Sequence, residues 1–259
     1  MASRTRCAAI PPSLTRTWEP ELGALLELRG LVAGYGGGDI LLGIDLTVGE
    51  GSLTCIVGPN GAGKSTVLRV ISGLLRPTSG SVRFRSESIA ALSPRSILNL
   101  GIVQVPQERS LFPTMTVWEN VRLGAYTVRD RGMVERRLAA VSETFPIVKE
   151  RRHELAASLS GGQQKIVEFA RAMMLDPSLL ILDEPSMGLD PKTRTTVFNT
   201  IRTMNDAGHT MLLVEQNARS GLGIASHGVV MESGRIRLEG PGPEVLSNPE
   251  IGRLYLGAA

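Results

Sequence analysis

LTCIVGPNGAGKST, residues 53–66, carries the pattern G-x-x-x-x-G-K-[ST] at Gly58, Gly63, Lys64 and Ser65, directly behind an apolar, β-branched run. That order predicts a strand feeding a phosphate-binding loop, with Pro59, Asn60, Gly61 and Ala62 inside the loop and Thr66 just after it. The turn must expose consecutive backbone N–H groups to phosphate oxygens, and a Cβ would block that approach, so glycines recur. Lys64 adds a point charge at the β/γ-phosphates, and a helix beginning near Gly63 aims its positive dipole end at the same anion. Ser65 offers a hydroxyl to Mg²⁺, a metal that keeps most of its waters and borrows oxygens from substrate phosphate. The next residues, STVLRVISGLL (65–75), predict that helix.

Working outward, 259 residues suffice for one substantial core, or a core with a small appended subdomain. The hydrophobic share of 42% and charged share of 20% are those of a soluble globular chain. No apolar run approaches the roughly 18 residues that span a bilayer, so any membrane role comes through a partner. Net charge is +3, and the basic residues are scattered singly, which argues against a nucleic-acid stripe. Two cysteines, Cys7 in a polar tail and Cys55 in the strand before the loop, make no framework and fit a reduced, intracellular setting.

Residues 1–24 are rich in Arg, Ser, Thr and Pro and predict a disordered tail; Pro11, Pro12 and Pro20 spoil the amphipathic helix of a transit sequence. LLELRGLVAGY and ILLGIDLTV then predict antiparallel strands before the loop strand. Tyr35, at the end of the first, could stack on an adenine ring. GIVQVPQ predicts a buried strand ending at Gln107, whose amide could reach a metal, and Thr116 with Glu119 spells a capping box. Arg131 to Phe145 is helical by its apolar spacing.

SGGQQ (160–164) opens another helix, a second anion-binding geometry in the chain. LLILDEP (179–185) is an apolar strand that delivers Asp183 and Glu184, a metal-binding carboxylate and a residue able to polarise water. HTMLLVEQ is one more buried strand, and SHGVVME with GRIRLEG predicts a hairpin at Ser233–Gly234.

Tyr35, GPNGAGKST (58–66), Gln107, LSGGQQ (159–164), LLILDEP and SMGLD (186–190) together resemble the ATP-binding cassette (ABC) family over residues 25–259. VPQERSLFPTMTVWENVRLGAY, VEQN and LYLG are similar to ATPase subunits of importers for branched-chain amino acids, urea and short amides. The resemblance implies an α/β fold: a P-loop (RecA-like) core with an N-terminal antiparallel β subdomain, a helical insert at about 89–159 and a C-terminal tail at about 240–259. It implies ATP and Mg²⁺ as cofactors, with Tyr35 on adenine, residues 58–66 on the phosphates, and Ser65, Gln107 and Asp183 serving the metal. Glu184 would polarise water.

Ser160, Gly161, Gly162 and Gln163 would reach the nucleotide of a second ABC ATPase subunit in a head-to-tail dimer. The resemblance also implies integral membrane permease subunits, a solute-binding protein acting indirectly, and a place on the cytoplasmic face of the membrane. An alternative within the family is a soluble ATPase acting on a protein assembly such as an iron–sulfur scaffold. One departure stands out: the family usually places a histidine where this chain has Gln216, and an amide neither titrates near neutral pH nor carries charge.

Overall fold

The structure is a computed structural model that describes residues 23–249 and 251. The tail expected over 1–24 lies outside the described residues up to 22, as do Cys7 and LYLG, while Ala24 already belongs to a strand. Two sheets carry the chain. The first, in the order β2-β1-β4-β5, is antiparallel and contains β1 (Ala24–Tyr35), β2 (Gly38–Gly49), β4 (Ser79–Phe84) and the short β5 (Glu87–Ser88).

The second sheet, in the order β10-β9-β3-β8-β7-β6, is parallel except at one edge. Its parallel members are β3 (Leu53–Val57), β6 (Ile102–Val105), β7 (Leu179–Asp183), β8 (Met211–Glu215) and β9 (His227–Glu232), and β10 (Arg235–Pro241) folds back as the expected hairpin. The fold is thus an α/β P-loop core with an antiparallel β subdomain. The phosphate-loop strand β3 sits in the parallel sheet, apart from the antiparallel strands that precede it.

β3 and β8 are buried at every position, and β7 at all but the last, because the sheet is covered on both faces. Alternate side chains point into two cores. Leu180, Leu182, Met211 and Leu213 face one with the helices α3 (Val117–Leu123), α6 (Gly161–Met173) and α7 (Pro191–Asp206). Leu179, Ile181, Leu212 and Val214 face the other, shared with the antiparallel sheet and α1 (Lys64–Ile71). α1 stops at Ile71, short of the expected Leu75, because Gly73 takes a left-handed φ of 70°.

Between β5 and β7 the chain forms α2 (Pro94–Asn99), α3, α4 (Arg131–Thr144), α5 (Ile147–Glu150) and α6. The span from about 89 to 159, expected to be a helical insert, holds α2 to α5 and also the strand β6. β6 pairs with β7 in register Ile102↔Leu179, which puts residues 102–105 in the parallel sheet. α8 (Ala218–Leu222) and α9 (Gly242–Ser247) close the described chain. Among the described residues no helix is long and apolar enough to cross a membrane.

Candidate functional site

Parallel register lines up the carboxyl ends of three strands. Val57 stands opposite Glu215, and Asp183 opposite Val214, so the phosphate loop, the two acidic residues and the end of β8 share one edge. A cavity of about 400 Å³ opens there. Asn60, Gly61, Gly63, Lys64, Ser65 and Thr66 line one side; Gln107, Glu184 and Gln216 line the other.

Glycine serves this loop in ways the sequence reading did not distinguish. A Cβ on Gly58 would lie 2.4 Å from the Met231 carbonyl oxygen, so this glycine makes room for the neighbouring strand, not for a ligand. Gly63, at φ 102°, is the left-handed N-cap of α1. Lys64 folds back over the loop: its ammonium donates to the carbonyls of Gly58 (2.8 Å) and Pro59 (3.2 Å) and stands 3.5 Å from Glu184 Oε1. Ala62 and Thr66 are buried, whereas Asn60 and Ser65 are exposed.

Glu184 is buried and has a left-handed backbone, φ 42°, with its N–H donated to the Val214 carbonyl at 2.9 Å. Gln107 Nε2 donates to Glu184 Oε2 at 3.3 Å. Asp183 Oδ1 is buried with no hydrogen-bond partner, and burial, then the charge of Glu184, pushes the Asp183 carboxyl above the ordinary carboxylate range. An orphaned carboxylate oxygen beside a cavity that also holds the Ser65 hydroxyl and the Gln107 amide is a donor set of hard oxygens, which fits Mg²⁺.

Tyr35 is 42% exposed and does not line this cavity; its hydroxyl accepts from Arg69 at 3.2 Å, and the same guanidinium lies 5.7 Å from the ring centroid. Ser160 to Gln163 are also apart from the cavity. Ser160 caps α6 in a reciprocal box: Gln163 N–H donates to Ser160 Oγ (3.4 Å), and Gln163 Oε1 accepts from Ser160 N–H (3.0 Å). Ser160, Gly162 and Gln163 border a separate cleft with α7.

One residue escaped the sequence reading. Glu215 is buried at the end of β8, with both carboxylate oxygens engaged by Ser186. The signal was available: a lone acid closing an otherwise apolar strand, the same signature that exposed Asp183. Its partner, 29 residues away, was not available to local reading.

The sequence pattern of the family described as ABC transporter matches residues 41–187. The chain is 37% identical over 223 residues to the high-affinity branched-chain amino acid transport ATP-binding protein BraG of Pseudomonas aeruginosa, covering 86% of this chain and 95% of that one. It is 36% identical over 234 residues to the Nod factor export ATP-binding protein I of Cupriavidus pinatubonensis, covering 90% and 71%. The crystal structure of the ADP conformation of MJ1267, an ATP-binding cassette of an ABC transporter, superposes with a TM-score of 0.82 at 31% identity, covering 90% of this chain and 99% of that one. Its sheet edge, its phosphate loop and these likenesses agree: the chain belongs to the ABC transporter family, as an ATP-binding subunit with ATPase activity.

Proposed function

We propose that the protein powers import of a small polar solute, of the branched-chain amino acid, urea or amide type, through separate permease subunits at the cytoplasmic face of the membrane. The likeness to BraG along nearly the whole of both chains supports this choice. Likeness to a Nod factor export protein at 36% identity favours, as a second reading, the same ATPase driving export.

The mechanism rests on one observation: Lys64, Gln107, Glu184 and Gln216 line a single cavity, from which Ser160 to Gln163 are absent. The cavity residues form one half of a site. Residues 58–66 hold the triphosphate, with Lys64 at the β/γ-phosphates, and Tyr35 stacks on adenine opposite its Arg69 contact. Ser65, Gln107 and Asp183 would hold Mg²⁺, which when bound neutralises charge on the β- and γ-phosphates. Glu184 orients and polarises the attacking water, and Gln216 hydrogen-bonds the γ-phosphate. The exposed N-terminus of α6 supplies the other half to the nucleotide of a second ABC ATPase subunit.

Lost γ-phosphate contacts then let the dimer part. The loop after Gln107 carries that change to the helical insert, where the permease docks.

Glu184→Gln tests the mechanism. It should keep ATP binding, lower turnover by about 10²–10⁴-fold, and accumulate an ATP-bound dimer in size exclusion; near-normal hydrolysis would show that Glu184 is misassigned. Solute uptake into vesicles reconstituted with the protein and the permease subunits that co-purify with it, set against efflux from them, separates import from export.

A further inference from the structure

Asp183 and Glu184 are not the last acids that the sheet delivers to this edge. Glu215 ends β8 opposite Val57, and it is 2% exposed without lining the cavity assigned to nucleotide. Ser186 donates its backbone N–H to Glu215 Oε1 at 3.1 Å and its hydroxyl to Oε2 at 3.1 Å. Both oxygens are thus engaged by a residue two places beyond Glu184, and the Asn217 backbone bonds the same carboxylate.

Glu184 needs such support. A left-handed backbone on a non-glycine residue costs about 1–3 kcal/mol and persists only where the surroundings over-determine it. The turn closes through Met187 N–H onto the Glu184 carbonyl (3.1 Å), and β8 grips it twice, by the Val214 carbonyl on Glu184 N–H and by Glu215 on Ser186.

The residue type is informative. β8 is otherwise apolar, and a leucine or methionine would be the cheaper tenant of a position closed off from water. α8 lies flush against it: a Cβ on Gly221 would stand 3.2 Å from Glu215 Cβ and 2.7 Å from Cys55 Sγ. A carboxylate presents two acceptors to the two donors on Ser186; a glutamine keeps the backbone bond through its oxygen but turns the Ser186 hydroxyl from donor into acceptor. Burial raises the Glu215 carboxyl above its ordinary range, and the Ser186 bonds act in the opposite direction. The next residue, Gln216, lines the nucleotide cavity and also a neighbouring one of about 670 Å³ that Glu184, Ser186 and Glu215 share.

We propose that Glu215 is a positioning residue for hydrolysis, clamping Ser186 so that the turn holds Glu184 aimed at the nucleotide cavity and Gln216 beside it. The inference rests on the role given to Glu184 above.

The test uses the full chain with Glu215→Gln and Ser186→Ala, singly and together, measuring single-turnover hydrolysis, ATP affinity by calorimetry and thermal melting. Glu215→Gln should lower the hydrolysis rate on the order of 10- to 100-fold, the scale of a misplaced catalytic group, with ATP affinity within about twofold. Ser186→Ala should show a smaller loss with the same split, and the double variant should be no worse than Glu215→Gln alone, because the two side chains act as one unit. Rates within about twofold of the parent chain in the folded variants would overturn the clamp, and so would affinity falling in step with rate. If Glu215→Gln does not fold, Ser186→Ala, which leaves the carboxylate its backbone bond, decides by the same criteria. An inactive Glu184→Gln beside an unaffected Glu215→Gln overturns the clamp alone; a fully active Glu184→Gln removes the role of Glu184 and the clamp with it.

Discussion

Lys64 Nζ and Glu184 Oε1 stand 3.5 Å apart, with side-chain exposures of only 4% and 9%. The ammonium has three donors, and two carbonyls of its own loop share it with this carboxylate. In the proposed mechanism an entering phosphate would compete with Glu184 for the cation and, by taking it over, would leave the carboxylate to a water molecule.

Lys64→Ala should therefore weaken ATP binding by about 10- to 100-fold, since a hydrogen bond to a charged group contributes about 1.5–3 kcal/mol. Isothermal titration of the variant against the parent chain measures this directly. Equal affinities would remove Lys64 from the phosphate site.

Asp183→Asn should stabilise the nucleotide-free protein at neutral pH while impairing hydrolysis. The Asp183 carboxyl is raised in the folded state, chiefly by burial, so the native state holds its proton more tightly than the unfolded chain does. That contribution is fully present below the ordinary carboxylate range and is lost as pH climbs through the raised value. The asparagine variant should melt higher, by about 2–4 °C for each kcal/mol gained, and its advantage should vanish in acid. A melting temperature lowered at pH 7 would contradict the assignment.

Glu168→Ala should be among the more damaging changes away from the site. Buried Glu168 pairs with Lys165 at 2.6 Å and accepts from Ser110 N–H at 2.6 Å, while Arg171 donates to the Ser110 carbonyl at 2.7 Å. Lys165 lies 3.3 Å from the Pro106 carbonyl, so the loop around Gln107 is fastened to α6 at both ends. Removing one partner of a buried pair costs about 3–5 kcal/mol. Denaturant titration should show that loss, and a shift under about 1 kcal/mol would mean that the pair is far better solvated than its burial implies.

Gly162→Ala tests the packing of α6 on α7. Alanine favours a helix interior by up to about 1 kcal/mol, yet its Cβ would lie 2.0 Å from Thr193 Cγ2. Overpacking costs about 1–3 kcal/mol, so the clash should win and the melting temperature should fall. Adding Thr193→Ser, which deletes the offending methyl, should restore it; failure to do so would place the strain elsewhere.

Local features were readable because their causes are local. The loop of residues 58–66, the caps at Thr116 and Ser160, and the acids closing β7 each follow from neighbours within a few positions. What escaped depends on distant partners. IVQV reads as a strand, but only its pairing with β7 places it in the parallel sheet. The apolar periodicity after Lys64 runs on to Leu75, and a single glycine conformation ends the helix four residues earlier. Glu215 closes β8 as an acid on an apolar strand, and only Ser186, 29 residues away and bonded to both its oxygens, gives it a role.

The reciprocal box at the start of α6 also settles which way its serine speaks. Ser160 Oγ already receives the Gln163 N–H, and Gln163 Oε1 is turned back onto the Ser160 backbone, so what the two side chains have left to offer includes the hydroxyl O–H and the Gln163 amide N–H donors. A helix tip arranged in this manner welcomes anions and repels cations, a sorting by sign that is complete before any second subunit arrives.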